Sequence, residues 1–338
     1  MNTGQHFGKG TVLVTGGSGF VGKAVVRSLL ASGYRPRILA RDPARVSAAA
    51  PVEVAPGDIN DGDSLESATR GCHAVIHCAA DYRLALVSGD ASGMIRTNVG
   101  GTLNVLSAAR RVGVRRVVHC STVGTLAFDR AGKLCTEVDL AVDAAKLAGP
   151  YKRSKWAAEQ LALGWREPEV VVVQPSTPVG AGDLRPTPTG ATIRDFLQGK
   201  IPAVIETGLN VVDVEAVGAG HVLALERGTP GRSYILGDQN VTLEQLLRRI
   251  AALAGVVPPH WRIPLGAAYL AAIAAEMAGR LTRRPPAISL TSVRMAAHPM
   301  WVDSTRARRE LGWSPGNLDR ALRDAVSEFS HSANLETA

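Results

Sequence analysis

Aromatic side chains are scarce in this chain. Five Trp, five Tyr and five Phe stand among 338 residues, 4% in all, too few to lay out a stacking platform for successive bases. Cysteine is rarer still, with only Cys72, Cys78, Cys120 and Cys135. These form no CxxC pair and have no companion histidines at metal-ligand spacing, so no metal is expected. Cys78 and Cys120 lie in apolar runs and read as buried, reduced thiols of a cytoplasmic chain. A basic-then-apolar secretory pattern is missing at the N-terminus, and no internal repeat or low-complexity linker interrupts the chain. Long apolar runs are missing too. The longest, "IPLGAAYLAAIAA" (263–275), stops at Glu276. At about 1.5 Å per residue it spans about 20 Å, against a bilayer core of about 30 Å. No transmembrane helix is expected.

The composition that is present, 46% hydrophobic and 20% charged, suits a folded globular chain and excludes a disordered one. Its length fits one large domain or one and a half. A formal charge of +8 admits nucleic acid, an anionic cofactor or an anionic membrane surface as partner. The basic residues are scattered, however, and only "RLTRRPP" (280–286) is dense. Nucleic acid is therefore not an expected partner.

Short apolar runs alternate with helical patterns through the first half. Strands are expected at 11–15, 35–40, 52–58, 74–80, 115–121 and 169–176, with helices at 20–32, 63–70, 92–112 and 151–164. Runs buried on both faces and spaced by helices predict an α/β fold, a doubly wound parallel sheet of the Rossmann type. Beyond Gly180 the pattern loosens into a proline-rich loop (184–190) and helices near 191–199, 241–254 and 265–281. The expected division is a leader over 1–9, a dinucleotide-binding domain over 10–180, and a smaller, mainly helical substrate-binding part over 181–330, interleaved with it.

The segment "TGGSGFVG" (15–22) joins the first strand to the first helix with Gly16, Gly17, Gly19 and Gly22. Such a turn lets backbone approach a pyrophosphate while the helix N-terminus offers free N–H groups to the anion. A dinucleotide is the expected cofactor. The second strand ends in "ILARDPARV": Arg41 there would accept the 2′-phosphate of NADP, whereas Asp42 would hold the ribose of NAD. NADP is favoured, with Asp58 and Ile59 bordering the adenine.

"GPYKRSKWAAEQ" (149–160) places Tyr151 and Lys155 four apart, on one helix face. A lysine beside a tyrosine stabilises its phenolate, which suits proton exchange with a substrate oxygen while hydride moves to or from a nicotinamide. Ser121 and Thr122 in "HCSTVGT" supply hydroxyls at the carboxyl edge of the fifth strand, where ligands bind in such sheets.

The TGxxGxxG turn, the Ser/Thr after the fifth strand and the YxxxK helix, in that order, resemble the extended short-chain dehydrogenase/reductase (NAD-dependent epimerase/dehydratase) family over about residues 10–330. The resemblance implies that Tyr151 is the acid/base, that Lys155 binds the nicotinamide ribose, and that Thr122 bonds the reacting oxygen, with Ser121 the competing candidate. It also implies cofactor contacts at Phe20, Val21, Ala79, Ala80 and Pro175, and a structural Asn98. "LARDP" and "CSTVGT" are similar to dihydroflavonol 4-reductase-like enzymes. "AADYRL", "YKRSK", "QPSTPVG", "RPTPTG", "ETGLN", "AGHVLALERG" and "YILGDQN" resemble the hopanoid-associated sugar epimerase group. Two positions depart from nucleotide-sugar epimerases. Gln174 replaces an Asn, and the stretch running from Leu209 to His221 lacks the diphosphate-binding arginine. A neutral or lipidic hydroxy/keto substrate competes with a nucleotide sugar, and a catalytically silent NAD(P)-binding regulator is the alternative of another class.

His221 reads as a structural histidine in a packed helix. Asp81, Tyr82 and Arg83, after the fourth strand, and Thr187, in the proline-rich loop, are candidate substrate contacts. A homodimer is allowed for. In 264–284, Leu265, Tyr269, Leu270, Ile273, Met277 and Leu281 share one helical face, and Ala267, Ala271, Ala274, Ala275, Ala278 and Gly279 the other. Either the bulky face is core, or it meets a membrane surface or lipid with Arg280, Arg283 and Arg284 at headgroup level.

Overall fold

Strand β1 (Thr11–Thr15) sends Val12 and Val14 to one face and Leu13 to the other, and all three are fully buried. Helices therefore cover both faces of the sheet, which is the arrangement a near-continuous apolar strand requires. The computed structural model describes residues 9–46, 52–82, 91–282 and 289–336. After β1 come α1 (Phe20–Ala31), β2 (Arg35–Ala40), β3 (Glu53–Pro56), α2 (Gly62–Thr69), β4 (Ala74–His77), α3 (Ala91–Ile95), α4 (Gly101–Arg111), β5 (Arg116–Cys120), α5 (Gly149–Gly164) and β6 (Glu169–Pro175). The second half runs β7 (Thr177–Val179), α6 (Pro188–Leu197), β8 (Ala203–Ile205), β9 (Gly208–Asp213), α7 (Val214–Arg227), β10 (Ser233–Leu236) and β11 (Gln239–Thr242). It closes with α8 (Leu243–Ala254), β12 (Trp261–Ile263), α9 (Leu265–Thr282), α10 (Leu290–Ala296) and α11 (Leu318–Glu336).

Seven strands form one parallel sheet in the order β10-β6-β5-β4-β1-β2-β3. The chain reverses direction of growth between β1 and β4, so their carboxyl ends frame the crevice in which such sheets bind ligands. One core lies between the sheet and α1 with α7, the other between the sheet and α2, α4 and α5. A third, built from α6, α8 and α11 over the β11-β9-β7 sheet, belongs to the C-terminal part.

Three expectations change. The C-terminal part carries β7, β9 and β11 in a sheet of their own and β8 with β12 in another, and β10 completes the main sheet. Such three- and four-residue strands are too short to show a period. The single helix expected at 92–112 is divided by a wide turn over Arg96–Gly100. There Asn98 bonds the backbone of Asp81 and the hydroxyl of Ser154. The α9 packing face is neither of the two expected. A stripe of Leu265, Ala268, Tyr269, Ala272 and Glu276, spaced at three and four residues, docks against α10, and Glu276 Oε1 accepts the Leu290 N–H at 2.8 Å. Ala267, Ala271, Ala274 and Ala278 are exposed, as are Leu270 (71%), Ile273 (44%) and Met277 (67%). Arg283 and Arg284 lie outside the described residues. Among the described residues no helix is long and apolar enough to cross a membrane.

Two histidines end adjacent strands and are buried in the α4-side core. His77 is held between Thr15 Oγ1 at 2.7 Å and Thr102 Oγ1 at 3.1 Å, while neither ring nitrogen of His119 has a partner. Burial pushes His77 down to about 3, and burial pushes His119 well below its ordinary 6.5. Both groups are depressed relative to the unfolded chain, so the unfolded chain binds more protons between about pH 6.5 and 3. The stability present above that window is lost as pH falls through it. In a His119→Leu variant, the fall in unfolding free energy as pH drops below about 6.5 should be shallower than in the wild type. Denaturant melts across that range check this, and identical slopes would contradict it.

Candidate active site

Gly16 sits at φ 72°, and a Cβ there would lie 2.7 Å from the Ala79 N and 2.8 Å from the Cys78 carbonyl carbon. The turn thus rests directly on the end of β4. A Cβ on Gly22 would come 2.0 Å from the Gly16 carbonyl oxygen, so the first turn of α1 can seat only without a side chain there. Gly19 is the residue before α1; its N–H donates to Gly16 O at 2.9 Å. No side chain caps α1 and no acidic residue stands in its first turn. Its N–H groups and positive dipole end are left to an anion, and the cradle fits a dinucleotide pyrophosphate. Phe20 and Val21 open the helix, both half-buried.

Arg41 follows β2 and is exposed, and it makes no ion pair among the described residues. Its neighbour Asp42 is paired with Arg45 at 3.1 Å. Asp58 caps its own turn, accepting from Asn60 N at 2.9 Å, and Ile59 is buried against Gly101. Ala79 and Ala80 follow β4, Ala79 N donating to Thr15 Oγ1 at 3.3 Å, and Pro175 ends β6 in register with Leu236.

At the end of β5 the two hydroxyls separate. Ser121 Oγ donates to Glu159 Oε2 at 2.6 Å and is buried. Glu159, whose carboxyl is pushed up by burial, also accepts from Gln174 Nε2 at 2.8 Å, and Gln174 reaches Thr125 Oγ1 at 3.3 Å. This buried network consumes Ser121 and Gln174 together. Thr122 Oγ1 instead accepts from Gly124 N at 3.1 Å, and its own O–H has no acceptor among the described residues.

Lys155 is buried, and its Nζ donates to the Cys120 carbonyl at 2.6 Å. Burial lowers its pKa, opposed by Cys120, Glu159 and Cys78. At Tyr151 burial acts against the phenolate that the sequence expects Lys155 to stabilise. Burial pushes its phenol up, with the Cys120 thiol and Tyr82 adding to the shift, while the Lys155 ammonium is engaged by a carbonyl. The shift favours the protonated phenol.

The fourth-strand loop is clamped in place: Asn98 Oδ1 accepts from Asp81 N at 2.7 Å and Asn98 Nδ2 donates to Asp81 O at 2.9 Å. Tyr82 is half-exposed, and its hydroxyl lies 3.5 Å from Arg185 O in the proline-rich loop. Arg83 lies outside the described residues. Thr187 is a helix cap in this structure, donating to Asp183 Oδ2 at 2.7 Å and accepting from Gly190 N at 3.1 Å, which occupies its hydroxyl within the chain. Lys152 carried no sequence signal. It is buried, its Nζ stands 3.5 Å from Met300 Sδ, and burial pushes its ammonium down to about 8. Leu209 bridges Met300 along the backbone. One partly neutral amine near that segment does not replace the bidentate fork of an arginine.

A parallel seven-stranded sheet with an uncapped glycine turn at its switch point and a buried Tyr-Lys helix beside it defines a nicotinamide-dependent enzyme of the Rossmann class. Residues 12–237 match the NAD dependent epimerase/dehydratase family, and the chain belongs to it. A protein of Synechocystis sp. provisionally named dihydroflavonol 4-reductase is 38% identical over 332 residues, covering 96% of both chains. Sterol demethylase protein B of Methylococcus capsulatus is 33% identical over 94% of this chain and 98% of its own. Among solved structures, the crystal structure of gox2253 superposes with a TM-score of 0.83 at 39% identity, covering 96% of this chain and 99% of that one.

Proposed function

We propose that the protein is an NADP-dependent reductase of a carbonyl on a polycyclic, hopanoid-type lipid. The observation that carries this reading is the division of labour at the end of β5. Ser121 is spent on Glu159, the Thr122 O–H has no acceptor among the described residues, and burial favours the protonated phenol of Tyr151. Bound NADPH supplies the hydride. Tyr151 then gives its proton to the carbonyl oxygen as it becomes an alcohol, and Thr122 donates a hydrogen bond to the same oxygen. Lys155 spends one N–H on Cys120 O and has two more for the nicotinamide ribose.

The lipid is favoured over a nucleotide sugar on three grounds. Gln174 is locked into the buried Glu159 network, no guanidinium stands at Leu209, and a relative alike over nearly its whole length is named for sterol demethylation. The exposed Leu270, Ile273 and Met277 on α9 suit a protein that takes its substrate from a lipid surface. NADP is favoured over NAD because Asp42 is tied to Arg45 while Arg41 is free for a 2′-phosphate.

Tyr151→Phe should lower reductase turnover by roughly 100- to 10,000-fold, the range a general acid contributes, and leave NADPH affinity unchanged. Turnover near wild type in single-turnover assays would refute the role. Arg41→Ala should raise the NADPH dissociation constant by about tenfold, about 1.4 kcal/mol, and leave NADH binding unaltered. Calorimetric titration with both cofactors checks this, and tighter binding of NADH by the wild type would reverse the assignment.

A further inference from the structure

The neighbouring strands β4 and β5 carry the same dipeptide at their carboxyl ends. β4 runs into His77-Cys78 and β5 into His119-Cys120. In the sheet His77 pairs with His119, so the two histidines share the α4 face and the two cysteines, one residue on, share the opposite face beneath α7. The residue that meets them is His221 on α7. The Sγ atoms of Cys78 and Cys120 and a ring nitrogen of His221 all lie within 4.8 Å of one another.

His221 is wholly buried. Its Nδ1 is 2.8 Å from Val217 O, an acceptor that holds the proton on Nδ1. Nε2 is then a lone pair with no hydrogen-bond partner among the described residues, buried beside two sulfurs. A backbone carbonyl on one ring nitrogen with the other left bare is the arrangement that orients metal-bound imidazoles. Burying a bare nitrogen carries a desolvation cost, and an ion would offset it.

We propose that the Cys78 and Cys120 sulfurs and His221 Nε2 form a binding site for Zn2+. Thiolate and imidazole are the ligands this ion prefers, and bond lengths of about 2.3 Å to sulfur and 2.0 Å to nitrogen set ligand separations of about 3.5–3.8 Å in a tetrahedron. With the three ligand atoms within 4.8 Å of one another, side-chain movement of about 1 Å brings them to these separations. Binding displaces two thiol protons to solvent, and water supplies the fourth ligand, since no other His, Cys, Asp or Glu joins the cluster among the described residues. A disulfide between the two cysteines is the competing use of the pair, but it leaves His221 Nε2 unexplained.

The ion would pin the ends of β4 and β5 to α7, behind the Gly16 turn that rests on the Cys78 carbonyl. The test uses full-length protein, reduced, stripped with a chelator and titrated with Zn2+ or Co2+. One Zn2+ per chain should survive desalting, and Co2+ should give sulfur-to-metal charge-transfer absorption. His221→Gln and Cys78→Ser should each weaken binding by more than the about 10- to 100-fold that losing a supporting hydrogen bond costs. Independently of any variant, Zn2+ should protect Cys78 and Cys120, but not Cys72 or Cys135, from alkylation. Zinc retained equally by wild type and the Cys78→Ser variant would overturn the assignment, as would cobalt bound without charge transfer, or alkylation of all four cysteines unaffected by zinc.

Discussion

The hydrogen bond from Lys155 to the Cys120 carbonyl joins helix α5 to the last residue of β5, and the geometry of the whole site follows from it. A buried ammonium must be bonded, and the free carbonyl at a strand's end is the acceptor within reach. With Lys155 fixed, Tyr151 one turn earlier is fixed beside it, and Thr122 stands two residues past the acceptor. On the same helix, one turn later, Glu159 draws Ser121 and Gln174 inward. One helix thereby arranges both what faces the crevice and what is withdrawn from it.

The glycine turn meets this arrangement from the other side of the switch point. Gly16 needs a positive φ and a bare Cα because the backbone of Cys78 and Ala79 occupies the place of a side chain. Pyrophosphate cradle and acid–base helix are therefore set against consecutive strands of one sheet, with little freedom to drift apart. Burial pushes the Tyr151 phenol up, with Cys120 and Tyr82 adding to the shift, and lowers Lys155 against the opposing pull of Cys120, Glu159 and Cys78.

Much of this is legible in the sequence because it is local. The Val- and Ile-rich runs mark β1 to β6, the glycine spacing marks the turn, and a four-residue interval puts Tyr151 and Lys155 on one face. What is not legible depends on partners far along the chain. The withdrawal of the Ser121 hydroxyl into the core is made by Glu159, 38 residues on. The break at Arg96–Gly100 follows from Asn98 reaching Asp81 and Ser154. The upward shift of Tyr151 comes from packing, which no spacing rule reports. The α9 stripe is chosen by α10, and both residue sets on the wheel were plausible without it. The Cys78, Cys120 and His221 cluster was hidden by sequence spacing, although the repeated His-Cys at two strand ends was a readable sign of shared faces once the strands were neighbours.

The central claim is hydride delivery to a lipid carbonyl with Tyr151 as the acid. Its most direct measurement is incubation of the protein with NADPH deuterated at the transferable position and a polycyclic lipid extract, followed by mass spectrometry. The expected result is one deuterium at a carbinol carbon of a polycyclic lipid for each NADP formed. Interconversion of nucleotide sugars without net consumption of NADPH, with no label in the lipid, would contradict the account.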